Sequence, residues 1–438
     1  MLRKKIWLSD FQSIIYHPGQ TDVVRRALQK TSPSRVIYVT ACDRIEDLSY
    51  LRTIMRHEAM STSGLMHPKG SIEDTDLSKI GSILFTIDLK CYLTKRSSHD
   101  SDLTHRNFES LIKLALESLS IDASDLAVVP IVISKDHHIT SRYGSLFGYG
   151  AFCAQFLEPY SLREYIEQVR EGDPVKKFTQ HIQYDLSVNV AHLPAHLIAF
   201  FLLYLNREAH GVSYVDLLDY SKWMMKNSLE FNLQFAFTGK LQDIVKSAVL
   251  ILEKYIHIDQ RTETYYPIDL EALADYADTM IPNLVCYGII ARSILNVHNA
   301  DPKNDFRLFF DPGDDYKVMK DDVIELSVDL AENLDKIIVF RRPCISLSTL
   351  VLDTFTKMET FGHYFKTLEP KVRRNTGKHW AGDCDSDEEY YWSRKDDPAF
   401  KSWILLTRRP YRLDRLNLFM NAIDKYISTD DGSTADFV

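Results

Sequence analysis

Cys42 could act as a nucleophile only if a histidine lay within hydrogen-bond reach of its thiol. The histidine closest to it in sequence is His57. Apolar residues at helical spacing predict a helix over residues 46–60, which would separate the two side chains. The spacing therefore favours a structural role for Cys42, as a small buried residue at the end of a strand.

Four other histidines occur as two pairs. His192 and His196 could present two imidazoles on one helix face, but Pro194 lies between them and no glutamate completes an H-E-x-x-H pattern. His137 and His138 follow a predicted strand, at the edge of a sheet where ligands often bind. We expect no metal at the first pair and surface positions for the second.

The first part of the chain alternates between strand-like and helix-like patterns. Apolar runs predict strands over residues 35–40, 82–89, 126–134 and 151–157. Apolar residues at helical spacing predict helices over residues 21–30, 46–60 and 108–119, and the capping box Ser161-Leu-Arg-Glu164 begins another. The polar residues 61–76 are predicted to form a loop. This alternation is typical of an α/β sheet covered by helices.

The second part of the chain is predicted to be helical almost throughout. Helical spacing occurs over residues 195–207, 214–226, 241–255 and 270–297, and again from residue 320 onward. This pattern predicts an all-α domain. The polar stretch Glu171-Gly-Asp-Pro174 is the best boundary, which gives an α/β domain over residues 1–172 and a helical domain over residues 173–438. Residues 299–315 and the acidic stretch near 373–397 are expected to be mobile.

The composition argues against several functional classes. A formal net charge of -9 over 438 residues provides no generally basic surface for phosphate contacts, so we expect no nucleic-acid partner. Six cysteines without C-x-x-C spacing predict neither a zinc nor a redox motif, and they fit a reducing compartment. The apolar run at the N-terminus is too short for a secretion signal. The longest apolar stretch, residues 193–205, is shorter than the ~20 residues of a membrane-spanning helix and predicts a buried helix.

Three segments of the chain carry a family resemblance. They are Ile15-Tyr-His-Pro-Gly-Gln20, then residues 128–134 followed by Phe156-Leu-Glu-Pro-Tyr-Ser-Leu-Arg-Glu-Tyr165, and finally residues 197–203 followed by Phe235-Ala-Phe-Thr-Gly-Lys-Leu-Gln-Asp-Ile-Val245. In this order they resemble the glycerol-3-phosphate acyltransferase family, in particular its mitochondrial animal branch. The resemblance covers most of the chain unevenly, and each segment alone is a weak match.

The resemblance implies where the catalytic residues would lie. The family's first block is H-x-x-x-x-D, in which the histidine takes a proton from the attacking hydroxyl and the aspartate orients the imidazole. The matching stretch here is Cys42-Asp-Arg-Ile-Glu-Asp47, so Asp47 is kept and Cys42 stands at the histidine position. These two are the candidate catalytic residues. A thiol with an ordinary pKa of ~8.5 is a poor base at neutral pH, so we do not expect Cys42 to replace the histidine.

The other blocks of the family match less well. The second block places arginines beside a glycine pair and a strand, where they meet the substrate phosphate, but residues 79–88 here end in Asp88. A carboxylate about 4 Å from a phosphate would cost roughly 1 to 4 kcal/mol. The third block, of the type F-x-E-G-T-R-S, is not found. Lys95-Arg-Ser-Ser98 keeps some basic and hydroxyl character and is more simply a solvated loop.

The resemblance implies a protein of glycerophospholipid and triacylglycerol synthesis that has lost residues needed for catalysis. It would keep an α/β acyltransferase-like domain followed by an all-α C-terminal domain, and act as a lipid-binding, partner-binding or regulatory homologue. The alternative is an active glycerol-3-phosphate O-acyltransferase that transfers a fatty acyl group from acyl-CoA and is organised around Asp47. A third interpretation is an incomplete gene model, because family members usually carry a longer N-terminal region.

The resemblance also implies partners and a location. Acyl-CoA would be a co-substrate if the protein is active, and neither a cofactor nor a metal is expected. The expected partners are acyl-CoA or a lipid, a membrane surface and an active family member. The implied location is the outer mitochondrial membrane, where apolar helices over residues 193–205 or 280–295 would provide attachment.

Overall fold

The structure is a computed structural model, and it divides into two compact units. The first unit comprises Met1–Asn283 and Asp335–Ile345, and the second comprises Leu284–Leu334 and Ser346–Val438. Each is described by itself below. The residues described are 4–8, 11–31, 35–42, 45–58, 60, 64–66, 82–87, 108–117, 125–136, 151–170, 172–205, 211–300, 316–361, 364–368, 402–406 and 410–427.

The main sheet of the first unit is mixed. Its strands are β1 (Lys4–Leu8), β2 (Phe11–Tyr16), β3 (Arg35–Ala41), β4 (Gly64–Met66), β5 (Ser82–Ile87), β6 (Leu126–Lys135), β7 (Ala151–Phe156) and β8 (Tyr160–Ser161). The spatial order is β1-β2-β7-β6-β3-β5-β4, and β8 pairs with β6. Strands β4, β5, β3 and β6 are parallel neighbours, whereas β7 runs antiparallel to β6. The carboxyl ends of β3, β5 and β6 therefore lie at one edge of the sheet.

Helices cover both faces of this sheet. They are α1 (Pro18–Thr31), α2 (Ile45–His57), α3 (108–117), α4 (Leu162–Gln168) and α5 (Pro174–Val188). On the first face, Val39 and Val128 share a buried cluster with residues of α3 and α5, including Phe178. On the second face, Tyr38 and Cys42 share a cluster with residues of α1 and α2. Because side chains alternate along a strand, odd and even positions of β3 belong to different cores.

The rest of the first unit combines helices with two small sheets. The helices are α6 (Pro194–Tyr204), α7 (Tyr214–Lys226), α8 (Leu241–Leu252) and α9 (Leu270–Ala277). The strands are β9 (Ala191–His192), β10 (Val212–Ser213), β11 (Gln234–Phe235), β12 (Ile256–Asp259) and β13 (Thr264–Pro267), paired as β11-β9 and β10-β13-β12. Nine of the eleven residues of α6 are buried. The prediction of a buried helix at this apolar stretch is thus confirmed.

The second unit contains helices and a small antiparallel sheet. Its helices are α10 (Ile281–Ala300), of which the first residues belong to the first unit, α11 (Lys320–Asp335), α12 (Leu347–Thr360) and α13 (Pro410–Ile427). Its strands are β14 (Tyr316–Met319), β15 (Lys366–Leu368) and β16 (Trp403–Leu406), in the order β14-β16-β15. Packing of α10 on α13 includes a tilted contact between the rings of Tyr287 and Phe419, whose centroids are 5.4 Å apart.

The structure divides the chain at a different place from the boundary expected at residues 172 and 173. Asp173 caps α5 rather than ending a domain, because its carboxylate accepts the N–H groups of Val175 and Lys176. Phe178 and Ile182 of α5 then fill the same core as the sheet. The region expected to be all-α also contains strands β9 to β16, whose two to four residues are too short to produce a clear alternating pattern.

Other expectations have mixed outcomes. Strand β4 lies within the stretch 61–76, which was predicted to be a loop, and its three residues gain their stability by pairing with β5. Ser161 begins α4 as predicted, and its hydroxyl accepts the N–H of Glu164. The segments expected to be mobile lie outside the described residues, apart from positions 299 and 300.

Gly288 sets the close approach of α10 to α13 in the second unit. A Cβ at this position would lie 2.7 Å from the carbonyl oxygen of Phe419 and 2.7 Å from Cγ2 of Ile423. We expect Gly288→Ala to lower the free energy of unfolding by roughly 1–3 kcal/mol through overpacking, measured by urea denaturation. The matched control is Ser293→Ala in the same helix, whose buried hydroxyl has no hydrogen-bond partner among the described residues. The control substitution should leave the free energy of unfolding unchanged or raise it. Equal free energies of unfolding for the two variants would contradict the close approach of α10 to α13 at Gly288.

Candidate functional site

Cys42 and Asp47 come together at the carboxyl edge of the main sheet. Strand β3 ends at Ala41, α2 begins at Ile45, and this short connection places Asp47 in the first turn of the helix. The Cys42 thiol donates to Oδ2 of Asp47 over 3.8 Å. The two residues that the sequence selected are therefore in contact. If position 42 carried a base, the same contact would orient it.

A lysine that the sequence analysis did not select completes this group. Nζ of Lys135 lies 2.5 Å from Oδ2 of Asp47, although the two residues are 88 positions apart. Lys135 is the last residue of β6, and β6 pairs with β3, so its side chain reaches the start of α2. The Asp47 side chain is 5% exposed and the Lys135 side chain 20% exposed. The buried carboxylate is thus compensated by an ammonium group and by the positive end of α2.

Two buried hydroxyl groups extend this site along the sheet. Thr40 of β3 and Thr86 of β5 are register partners, and their side chains lie on the same face as Cys42. Their exposed fractions are 0% and 1%. Neither hydroxyl has a hydrogen-bond partner among the described residues. A thiol, a carboxylate, an ammonium and two hydroxyls therefore share one face at one edge of the sheet.

The opposite face of the same strand end is also polar. Ser134 donates its hydroxyl proton to the carbonyl of Ala191 over 2.6 Å. The carboxyl of Asp136 accepts the N–H of Ala151, at the start of β7. Burial raises the pKa of Asp136 to about 7, although hydrogen bonds from the backbone N–H groups of Ala151 and of Asp136 itself lower it in part. Near neutral pH this carboxyl is therefore only partly ionised.

His192 and His196 lie next to this second polar group. His196 accepts the Leu193 N–H at Nδ1 and donates from Nε2 to the Lys135 carbonyl over 3.1 Å, which fixes its tautomer. Burial lowers the pKa of His196 to about 4 and holds that of His192 well below its usual range. Both imidazoles are therefore neutral, and the hydrogen bonds of His196 show a structural role.

The two histidines do not form a metal site with other side chains of the described ranges. Their ring centroids are 6.1 Å apart, and His192 contacts the ring of Phe235. Within the described part of the chain, no group of three or more His, Cys, Asp and Glu side chains is arranged to hold a metal ion. His137 and His138 lie outside the described residues.

His57 contacts a different carboxylate from the one beside Cys42. Its Nδ1 lies 3.2 Å from Glu58 and 3.2 Å from the hydroxyl of Tyr16. Glu58 also accepts hydrogen bonds from the Thr21 hydroxyl and from Arg25. The thirteen residues of α2 separate this group from Cys42 by about 18 Å along the helix axis. A Cys42–His57 pair is therefore not formed.

A third polar cluster lies between α4, α5 and the segment Asp335–Ile345 of the first unit. Tyr160 donates its hydroxyl proton to Oδ2 of Asp185, and Nη2 of Arg342 lies 3.7 Å from Oδ1. His181 contacts the hydroxyls of Tyr160 and Tyr165 at 3.4 and 3.3 Å. Burial lowers the pKa of His181 and raises that of Tyr160. These contacts hold the 335–345 segment against α5.

The sequence analysis missed Lys135, Thr40 and Thr86. Lys135 ends the apolar run of β6, and side chains that follow parallel strands share one edge, so its position was a usable signal. The pairing of β6 with β3, which brings Lys135 to Asp47, had no signal in the sequence. Residues 79–81, Asp88 and residues 95–98, which carry the other expected blocks, lie outside the described residues.

Comparison with known proteins adds no family or relative. The chain matches no protein-family model and no curated protein. Among the described residues, the helical stretch Leu270–Val297 is long and apolar enough to cross a membrane, with a mean hydropathy of 1.4 in its most apolar window. That window is 78% buried within the protein, as in the core helix of a globular protein.

The ion pair between Asp47 and Lys135 predicts an asymmetric response to mutation. Lys135→Met leaves a buried carboxylate without its ammonium, so we expect a loss of about 3–5 kcal/mol in the free energy of unfolding. Asp47→Asn keeps the size of the side chain and leaves a lysine that reaches solvent, so the loss should be about 1–3 kcal/mol. Urea denaturation measures both. Two equal losses below about 1 kcal/mol would identify the contact as a solvated surface pair.

Asp136 predicts a pH-dependent change in stability. Because its folded pKa of about 7 exceeds the ordinary aspartate pKa of 3.8, its contribution to stability is fully present at low pH and is lost as pH rises through about 7. We expect Asp136→Asn, which keeps an acceptor for Ala151, to gain roughly 2 kcal/mol over wild type between pH 5 and pH 8. Denaturation at both pH values measures this gain. The pH-dependent contribution of His196 to stability has the opposite sign, but it is present in both proteins and cancels in the comparison. If the stability difference between Asp136→Asn and wild type were the same at pH 5 and pH 8, burial of the Asp136 charge would be contradicted.

Proposed function

We propose that this chain is a catalytically degenerate relative of the glycerol-3-phosphate acyltransferases, with a binding or regulatory role in glycerolipid synthesis. The observation that carries the proposal is the contact of Cys42 with Asp47, which keeps the spacing and the pairing of an H-x-x-x-x-D block but replaces its base by a thiol. The resemblance of three ordered segments supplies the family. The main sheet, with helices on both faces and the pair at its carboxyl edge, is compatible with it.

The side chains of the site argue against acid–base catalysis by this pair. A general base must accept the proton of the attacking hydroxyl near neutral pH, and histidine suits this because its ordinary pKa is ~6.5. A thiol that donates to a carboxylate is protonated and offers no such base. The Asp47 carboxylate, in turn, is held by Lys135 at 2.5 Å. Its charge is compensated by that ammonium within the protein.

The proposed ligands follow from the same reasoning. A protein that binds acyl-CoA or lipid without transferring the acyl group could hold these molecules for an active relative, and pairing with that relative at the outer mitochondrial membrane is part of the proposal. The apolar stretches of α6 and α10 are largely buried, so membrane contact through them would require exposure of core residues. Binding to a partner protein would therefore place the chain at the outer mitochondrial membrane at a lower free-energy cost than direct insertion of these helices into the lipid.

The test is acyl transfer from labelled acyl-CoA to glycerol 3-phosphate by the purified chain. We expect no turnover by wild type, because position 42 has no base. We expect Cys42→His to bind Asp47 through its imidazole and to restore measurable transfer, while Cys42→His combined with Asp47→Ala stays silent. The comparison of these two variants separates restored chemistry from a general effect of the histidine.

Two outcomes would contradict the proposal. Turnover by wild type that Asp47→Ala abolishes would identify an active acyltransferase organised around Asp47, with another group as the base. Silence of all variants together with no binding of acyl-CoA or lipid vesicles, measured by calorimetry and sedimentation, would contradict any role in this chemistry.

A further inference from the structure

We propose that Cys42 is a site of S-acylation, at which the thiol takes the acyl group of an acyl thioester and retains it. This inference rests on the proposed function for the class of ligand, and it assigns the thiol a role of its own. The replacement of a base by a nucleophile changes what the site can do. A histidine would pass an acyl group to a hydroxyl, whereas a thiol can itself become the acceptor.

The reaction is balanced without an oxidant or any other reagent. Sγ of Cys42 forms a bond to the thioester carbonyl carbon, and the bond from that carbon to the sulfur of the leaving thiol breaks. The proton of Cys42 passes to water and the leaving sulfur takes a proton from water, so no net proton is gained or lost. One thioester is broken and one is formed, so the exchange is close to energetically neutral.

Charges around Cys42 favour this step. The Lys135 ammonium contacts Asp47 at 2.5 Å, so the negative charge of that carboxylate is compensated while the sulfur loses its proton. The first N–H groups of α2 have no partner within the helix, and they lie three residues after Cys42. A helix N-terminus beside a cysteine favours the thiolate. Both features also stabilise negative charge on the carbonyl oxygen during attack.

An independent observation indicates a ligand at this face. The Thr40 and Thr86 hydroxyls are at least nine-tenths buried and lack hydrogen-bond partners among the described residues. A buried hydroxyl without a partner costs about 1–3 kcal/mol, so such a pair at one point of a sheet requires an explanation. Thr40 lies on the same face as Cys42, about 7 Å along the strand. Bound thioester offers a carbonyl oxygen and amide groups that can accept or donate there.

The other cysteines of the described ranges provide internal comparisons. Cys153 and Cys286 are buried, and burial raises the pKa of Cys286 to about 12. Cys344 is exposed and reports on non-specific acylation of a solvent-accessible thiol. A site-specific reaction should therefore favour Cys42 over Cys344 despite its lower exposure.

The experiment uses the full chain with palmitoyl-coenzyme A, followed by intact mass analysis, peptide mapping and release by hydroxylamine. We expect a hydroxylamine-sensitive adduct at Cys42 that forms at least ~tenfold faster than any adduct at Cys344 and is absent in Cys42→Ala. Protein unfolded in urea should lose this selectivity. Label confined to Cys344, or no label at Cys42, would overturn the proposal.

Two further variants test the groups around the thiol, and urea denaturation checks that each variant remains folded under the assay conditions. Lys135→Gln should slow acylation of Cys42 by ~tenfold or more, because the negative charge on Asp47 then opposes the thiolate. Thr40→Val removes one hydroxyl at constant volume and should slow acylation several-fold without loss of stability, since the hydroxyl has no partner in the protein. If Thr40→Val acylates at the wild-type rate, Thr40 does not contact the ligand and this part of the proposal is wrong.

The outcomes distinguish this inference from the proposed function. If wild-type protein transfers no acyl group to glycerol 3-phosphate and also forms no adduct at Cys42, the S-acylation proposal is wrong, but the proposed degenerate role is not contradicted. A wild-type protein that transfers acyl groups to glycerol 3-phosphate contradicts the degenerate role, whatever is found at Cys42.

Discussion

The ion pair between Asp47 and Lys135 links the first turn of α2 to the end of β6, and the arrangement of the candidate site depends on it. The Asp47 side chain is 5% exposed, so its charge has to be compensated inside the protein. Lys135 provides that compensation only because β6 lies directly beside β3, whose chain continues into α2. The contact therefore fixes the helix, two strands and the position of the Cys42 thiol relative to one another.

The end of β6 serves two separate polar groups through the alternation of its side chains. Lys135 belongs to the face with Cys42 and Thr40, whereas Ser134 contacts Ala191 of β9 and Asp136 contacts Ala151 of β7. The backbone also participates, because the Lys135 carbonyl accepts the proton of the neutral His196. Residues 134–136 thus belong to two polar groups. One is the ion pair of Lys135 with Asp47, and the other consists of buried, largely neutral side chains. Such a strand end tolerates few changes, since each side has its own hydrogen bonds and its own response to pH.

The proposed absence of a catalytic base is compatible with the geometry of the site. The Asp47 carboxylate contacts Lys135, so the fold has a reason to keep Asp47 whether or not position 42 carries a base. The pairing of Cys42 with Asp47 then persists as a consequence of the fold, and the chemistry left to it is that of a thiol. A residue kept for stability can in this way preserve the position of a reactive group.

Local patterns in the sequence were sufficient for strands β3, β5, β6 and β7 of the main sheet and for helices α1 to α4, whereas β1, β2, β4, β8 and α5 were not predicted. The strand predicted at 126–134 corresponds to β6, and the helix predicted at 214–226 has the bounds of α7, because burial imposes a regular spacing of apolar residues over such lengths. Strands β9 and β11 were missed, since two residues carry no period. The boundary at 172 was misplaced because a polar turn looks the same whether the next helix starts a new core or, like α5, completes the old one.

The candidate site divides in the same way. The sequence by itself determined that Cys42 and Asp47 lie on either side of a strand-to-helix turn, because both are close in the chain and the turn is local. Only the tertiary structure decided that Lys135 reaches Asp47 and that Thr40 and Thr86 lie side by side. Those contacts depend on which strands are neighbours, and strand order results from the packing of the whole sheet.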